Sequence, residues 1–408
     1  MQVKRAYKTE LDLNNEQATA CVKHAGAARF AFNWGLRQII DARERGEKKP
    51  SAIELHKKLN ALKVSEFSWM YEVSKCAPQE ALRNLDAAFN GFFRRCKSGA
   101  KKKGFPKFKS KKKGVGSFRL TGTIKIVERM IQLPRLGELR LKETGYLPVG
   151  MKVSQATVSE KNGRWYISVL AKIEADEWVE SDRPVVGVDL GIQNLATLSN
   201  GEVIENPKHL RTAQRKLTRL QRVVARRQKG SGRRKDAVIR VAKLHERISN
   251  KRKDTIHKFT TKLTRESSVI GIEDLNVSGM LSNHRLAGAI ADAAFFEMRR
   301  QIEYKAKWYG SQVVVYPRFE PSSKKLHCCG VVLDQLTLSD RTLTCPQCGK
   351  VVDRDHNAAI NIRNFAASYV EKSNGRGEES ADTCRKAGVK LSSMKRQPNV
   401  RARTVLFV

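Results

Sequence analysis

The sequence predicts a multidomain α/β protein, and three observations predict it. Short apolar runs crowd residues 118–170, helical stripes occupy 14–93 and 209–266, and single acids close apolar strands at Asp189 and Glu273. The chain has 408 residues, enough for about two to four domains. Lys and Arg number 79 against 41 Asp and Glu, a net charge of +38. Such a charge repels itself and attracts polyanions, so nucleic acid is the expected partner. A membrane is not, because no apolar run reaches the ~20 residues that span a bilayer. Met1-Gln2-Val3-Lys4-Arg5 lacks the apolar stretch of a signal peptide. The expected location is therefore the cytoplasm, beside the nucleoid.

Taken in order, residues 2–8 read as a strand and 14–93 as mostly helical. Ala81, Leu82, Leu85, Ala88, Phe89, Phe92 and Phe93 recur at helical spacing, with Lys75, Gln79, Arg83 and Asn84 on a separate polar face. The loop 94–113 is basic. Its Lys101, Lys102, Lys103, Lys107 and Lys109 suit phosphates, and Phe105 and Phe108 either stack on bases or anchor the loop. Six short strands between 118 and 170, punctuated by Gly and Pro, predict a small β-barrel over 1–8 and 118–178. The helical domain then spans 9–117.

Residues 176–184 read as a linker into a second α/β domain, covering 182–319 and 351–366. It opens with strands at 185–190 and 195–198, and Asn200-Gly201 is a two-residue hairpin turn into a third. A basic helical pair fills 209–266, turning at 230–232. Leu217, Leu220 and Val224 stripe its first helix and Val241, Leu244 and Ile248 its second, which is packing; the outward Arg and Lys form a nucleic-acid wall. A strand at 268–272, a helix at 287–308, a strand at 312–316 and a final helix at 355–363 follow. Residues 367–408 show no periodicity and are expected to be disordered.

Strand, hairpin, helix, strand, helix with an acid on the first strand is the order of an RNase H-like fold. The acids lie in Gly187-Val188-Asp189-Leu190-Gly191, Gly271-Ile272-Glu273-Asp274-Leu275 and Asp353-Arg354-Asp355-His356-Asn357-Ala358-Ala359. Isolated carboxylates on apolar strands of a basic protein point to metal ions held against a phosphate. Two Mg²⁺ ions about 3.5–4 Å apart activate a water and stabilise the leaving oxygen in phosphodiester hydrolysis. Oxygen ligands suit Mg²⁺, with Asp189 bridging the pair and Glu273 and Asp355 flanking it. Asp274 and Asp353 are second acids beside the chosen ones.

Cys345-Pro346-Gln347-Cys348-Gly349 is one zinc knuckle. A ribbon over 320–350 needs a second, and Cys329 stands fifteen residues before Cys345. The position three before Cys329 is Leu326, leaving His327 or Cys328 as the fourth Zn²⁺ ligand.

These motifs, with Gln79-Glu80-Ala81-Leu82-Arg83-Asn84-Leu85 and Gly104-Phe105-Pro106-Lys107-Phe108, resemble TnpB, the transposon-encoded RNA-guided DNA nucleases related to small type V CRISPR effectors. The resemblance covers about residues 1–366. It implies a helical recognition domain and a wedge β-barrel that grip a guide RNA from the transposon end, and a split RuvC domain that breaks both strands of target DNA. It places the acidic triad on Asp189, Glu273 and Asp355, and the reading of a short transposon-adjacent motif on the region of Lys75 and Gln79, whose chemistry suits base edges. A monomeric ribonucleoprotein is expected. The alternatives are a guided repressor without nuclease activity and a guide-independent transposase.

Overall fold

The computed structural model describes residues 2–174, 182–337 and 340–374. The chain divides into two compact units, 1–175 and 176–408. The linker at 176–184 falls largely outside the described residues.

The first unit begins with β1 (Gln2–Asp12), longer than the expected 2–8. Helices α1 (Asn15–Glu44), α2 (Ala52–Ser65) and α3 (Cys76–Lys97) follow. Asn14 and Ser51 open α1 and α2 with capping boxes, each side chain taking an amide that a helix start leaves unpaired. Strands β2 (Ser117–Leu120), β3 (Lys125–Val127), β4 (Met130–Leu133), β5 (Gly137–Leu141), β6 (Val153–Lys161) and β7 (Arg164–Glu174) complete it. They form a seven-stranded antiparallel sheet in the order β2-β6-β7-β1-β5-β4-β3. The N-terminal strand lies centrally, because β1 is long enough to pair with β7 from Gln2 to Leu11 and with β5 at its end. Among the described residues no ladder joins β2 to β3, so the sheet is not closed by strand pairing into the expected barrel. Helices and sheet share one hydrophobic core, in which Leu36, Leu82 and Leu85 from the helices join Leu120, Leu139 and Ile167 from the strands.

The second unit holds β8 (Val185–Asp189), β9 (Asn194–Leu198) and β10 (Val203–Glu205), with Asn200-Gly201 making the expected turn. Next come α4 (His209–Arg226), α5 (Gly232–Glu266), β11 (Val269–Glu273), α6 (Val277–Met280), α7 (Ala287–Ala293), α8 (Phe295–Tyr309) and β12 (Gln312–Tyr316). A ribbon with strands β13 (Thr342–Thr344) and β14 (Val351–Asp353) leads into α9 (Arg354–Asn374). The sheet order is β10-β9-β8-β11-β12, with β8, β11 and β12 parallel and the β9–β10 hairpin antiparallel. The unit is therefore mixed α/β, with the strand–hairpin–helix–strand order that the sequence predicts.

Two elements of this second unit also differ from expectation. The helix at 287–308 is broken at Ala294, whose left-handed φ of 53° separates α7 from α8 and is followed directly by the fully buried Phe295. The final helix runs beyond 366. Ala366, Tyr369 and Val370 continue its apolar stripe against Val269 and Val314, so residues 367–374 are helical. The rest of the expected disordered tail, 375–408, lies outside the described residues. No helix among the described residues is long and apolar enough to cross a membrane.

Candidate active site

Asp189 and Glu273 end neighbouring parallel strands. Val188 pairs with Ile272, so the next residues, the two acids, stand side by side at the carboxyl edge of the sheet. The third acid arrives on α9, which crosses both strands at very short range. A Cβ on Gly187 would meet the Ala359 carbonyl oxygen at 2.1 Å, and one on Gly271 would meet the Ile362 carbonyl oxygen at 2.9 Å. The glycine two residues before each strand acid thus lets the helix bearing Asp355 settle onto β8 and β11. Asp355 occupies its first turn, where the helix dipole favours an anion.

The electrostatics are those of crowded acids. Asp189 keeps a little surface but lies deep among protein atoms. Desolvation, then Glu273 and Asp355, push its carboxyl well above the usual range, with Arg354 opposing. Desolvation also raises Glu273, and Ser322 partly offsets it by donating from Oγ to Oε1 at 2.5 Å. Asp355 accepts from Arg354 at 3.0 Å and faces an Arg341 guanidinium nitrogen at 3.5 Å. Cations therefore already compensate part of the negative charge.

The neighbouring acids have other work. Asp274 is held below the usual carboxylate range by Arg299 and by Arg318, each 2.7 Å from a carboxylate oxygen. Asp353 caps α9, accepting from the His356 amide at 2.8 Å. Asn357 and Asn361, one turn apart on α9, are buried. Their amide nitrogens donate to the carbonyls of Lys325 and Ser322 respectively at 2.8 Å, lashing the loop after β12 to the helix. Sequence reasoning missed Ser322, Arg341, Arg354 and this lashing. The paired asparagines of the last acidic motif were the available signal.

Sulfur atoms of Cys328, Cys329, Cys345 and Cys348 all lie within 4.8 Å of one another, which fits a tetrahedral Zn²⁺ with Zn–S near 2.3 Å. Among these thiols Cys345 is drawn down to about 7, chiefly by the Cys348 backbone N–H, while Cys328 and Cys329 are pushed up, the first chiefly by desolvation and the second chiefly by its hydrogen bond with Cys348. The alternative ligand His327 is turned away: its Nδ1 lies 2.9 Å from Asn357 Oδ1. Leu326 fills the ribbon's small core with Leu343 and Val352, and Cys328 takes the fourth corner instead.

In the first unit, Lys75 is exposed at the start of α3, and Gln79 and Asn84 are half-buried along it. The basic loop is strapped down. Phe105 sets its ring edge-on to Phe89 and Phe92 at 5.5 and 5.4 Å, and so anchors rather than stands free. Asn33 exchanges two hydrogen bonds with the Lys109 backbone, the Lys109 ammonium lies 4.1 Å from the Phe32 ring centre, and Arg37 covers Phe108. Lys101, Lys102, Lys103 and Lys107 remain exposed.

In the second unit, the outer half of the α4–α5 hairpin has its own small core of Leu217, Leu244 and Ile248. Residues 209–235 carry eleven Arg or Lys and no acid. Arg211, Arg215, Arg219, Arg222 and Arg226 line one exposed face of α4.

Three family models match parts of the chain. Residues 168–284 match a family model described as "Probable transposase" (OrfB of IS605), residues 295–362 a Cas12f1-like TNB domain, and residues 1–48 a helix-turn-helix domain. A Streptomyces pristinaespiralis protein named "Putative RNA-guided DNA endonuclease" is 38% identical over 97% of both chains. An Escherichia coli K12 relative of the same description, InsQ, is 32% identical over 88% of this chain and 91% of its own. Among solved structures, that of a Cas12f1–sgRNA–target DNA complex shares the fold with a TM-score of 0.54 at 12% identity, covering 89% of this chain and 99% of the other.

Proposed function

This chain belongs to the TnpB/OrfB family, and from that premise we propose that it is an RNA-guided, Mg²⁺-dependent DNA endonuclease. The observation that supports the reading is that Asp189 and Glu273 end neighbouring parallel strands side by side, with Asp355 on the helix packed over both and near enough to raise the Asp189 carboxyl. The three acids offer only oxygen donors, and because burial pushes two of them toward their neutral forms, bound divalent cations would favour the ionised, ligating forms. A bound Mg²⁺ pair supplies an activated water and a stabilised leaving oxygen. The chain's own residues do the rest. Ser322 orients Glu273, and Asp353 and the asparagines fix the helix that carries Asp355. Arg341 and Arg354 pair with its carboxylate.

Pairing with a guide RNA from the transposon end supplies the sequence specificity. The exposed lysines of 101–107 and the arginine face of α4 suit its phosphates. Lys75, Gln79 and Asn84 are the candidates for reading a short transposon-adjacent motif in double-stranded DNA. The four cysteines hold Zn²⁺ as a structural ribbon. The working particle is one protein with one RNA, and it breaks both DNA strands.

The test is plasmid cleavage in Mg²⁺ by protein co-expressed with RNA from its own transposon end, on targets with varied flanking bases. Cleavage that needs the matching guide and disappears after RNase supports the reading. Guide-dependent binding without cutting identifies a repressor. RNA-independent action on transposon ends identifies a transposase.

A further inference from the structure

We propose that Phe319 is a stacking platform for a base of the DNA strand that the carboxylates cut, an inference that rests on the nuclease reading above. Residues 317–320 make a tight turn just past the carboxyl end of β12, closed by the Glu320 amide donating to the Pro317 carbonyl at 3.2 Å. Phe319 stands at the turn's tip and is 95% exposed.

Single exposed apolar residues are ordinary, but this one is braced against the site. On one side Arg318 reaches Asp274, the neighbour of Glu273, with Nε on the backbone carbonyl at 3.0 Å and a terminal nitrogen on the carboxylate at 2.7 Å. On the other side Ser322 donates to Glu273 itself. Three Cα steps separate Phe319 from Ser322, so its Cα lies within about 11 Å of a residue that touches the candidate catalytic carboxylate. A hydrogen-bonded turn, tied to the site through Arg318 and Ser322, thus carries a 95% exposed aromatic ring.

The chemistry of that setting selects the occupant. Lys325 is exposed just beyond the turn and offers charge to phosphates, while the Lys324 ammonium donates to the Asp334 carbonyl at 3.0 Å. A phenyl face has nothing to offer a phosphate but binds the π-face of any base, whatever the sequence. That tolerance suits an enzyme whose sequence choice is made by guide pairing. A strand lying across Phe319 would have one base fixed as its backbone approaches Glu273.

The experiment uses the full chain with its RNA, made unable to cut by Asp189→Ala, and a single-stranded DNA oligonucleotide carrying 2-aminopurine. The parent ring should quench the probe, and adding Phe319→Ala should remove the quench. Affinity should fall about 5- to 150-fold, the range for one stacked base. The dependence on salt should stay unchanged, because no phosphate contact is lost. Phe319→Trp and Phe319→Tyr should restore both signals, and Phe319→Leu should not. Full quench and affinity in Phe319→Ala would overturn the proposal. So would full rescue by leucine, which would assign the residue to simple apolar contact. The assay reads binding, so failure of the nuclease reading would appear separately, as a wild-type chain that never cuts.

Discussion

Gly187 and Ala359 are in such close register that a Cβ on the glycine would stand 2.1 Å from the alanine's carbonyl oxygen. Neither group is the end of a flexible side chain, so one backbone must move. Gly187→Ala should cost about 3 kcal/mol, the upper end of overpacking, and should abolish cutting by lifting Asp355 away from Asp189. Gly271→Ala should cost less, because its closest obstacles, the Ile362 Cγ2 methyl at 2.8 Å and carbonyl oxygen at 2.9 Å, need a smaller shift than the 2.1 Å contact at Gly187. Denaturant titration with a cleavage assay checks the order of the two variants.

The carboxylate pair predicts an unusual pH response. Asp189 and Glu273 have raised folded-state values, so their ionisation opposes folding. The stability they allow is present below the usual carboxylate range and is lost as pH rises through their folded values. Asp189→Asn should therefore unfold at a higher temperature than wild type at pH 7 in chelator, by about 2–4 °C per kcal/mol relieved, with the gap closing in acid. Added Mg²⁺ should stabilise the wild type and barely affect the variant. Equal melting at neutral pH without metal would contradict the electrostatic account.

The ribbon predicts which residues hold zinc. The wild-type chain should purify with about one Zn²⁺, and Cys328→Ser and Cys345→Ser should lose it. His327→Ala should keep it, because its ring faces Asn357 and not the sulfurs. Metal analysis of the three proteins decides between Cys328 and His327 directly.

The arginine face of α4 predicts a salt effect. Neutralising Arg215, Arg219 and Arg222 together to Gln should lower the slope of log affinity for the guide RNA against log salt by about 2–3, close to one unit per lost phosphate contact. Melting should hardly change, since all three are exposed. An unchanged slope would make this face a solvated surface.

Much of this was legible in the chain. The runs Val185–Val188 and Val269–Ile272 are apolar throughout, as strands covered on both faces must be, and that pattern marks where each acid begins. The engagement of Asp274 by Arg299 and Arg318, distant in sequence, was not legible, although the strand end at Glu273 was. Nor was the role of Gly187, since close helix approach leaves no periodic signal. The fourth zinc corner was undecided for the same reason: both His327 and Cys328 are ligands by type, and only the buried Leu326 and the Asn357 contact turn one in and the other out. The open sheet of the first unit depends on where β2 and β3 end up, which no local pattern records.

The account stands most directly on one comparison, guide-directed cutting and guide-directed DNA binding measured side by side for five single variants. Asp189→Asn, Glu273→Gln and Asp355→Asn should bind matched DNA as the wild type does and cut about 10³-fold more slowly or worse, a loss of roughly 4 kcal/mol of transition-state stabilisation. Asp274→Asn and Asp353→Asn, which lose a clamp and a helix cap, should lose some stability and still cut. If the neighbours prove as indispensable to cutting as the three, or if any of the three cuts normally, the catalytic centre is not where Asp189, Glu273 and Asp355 meet.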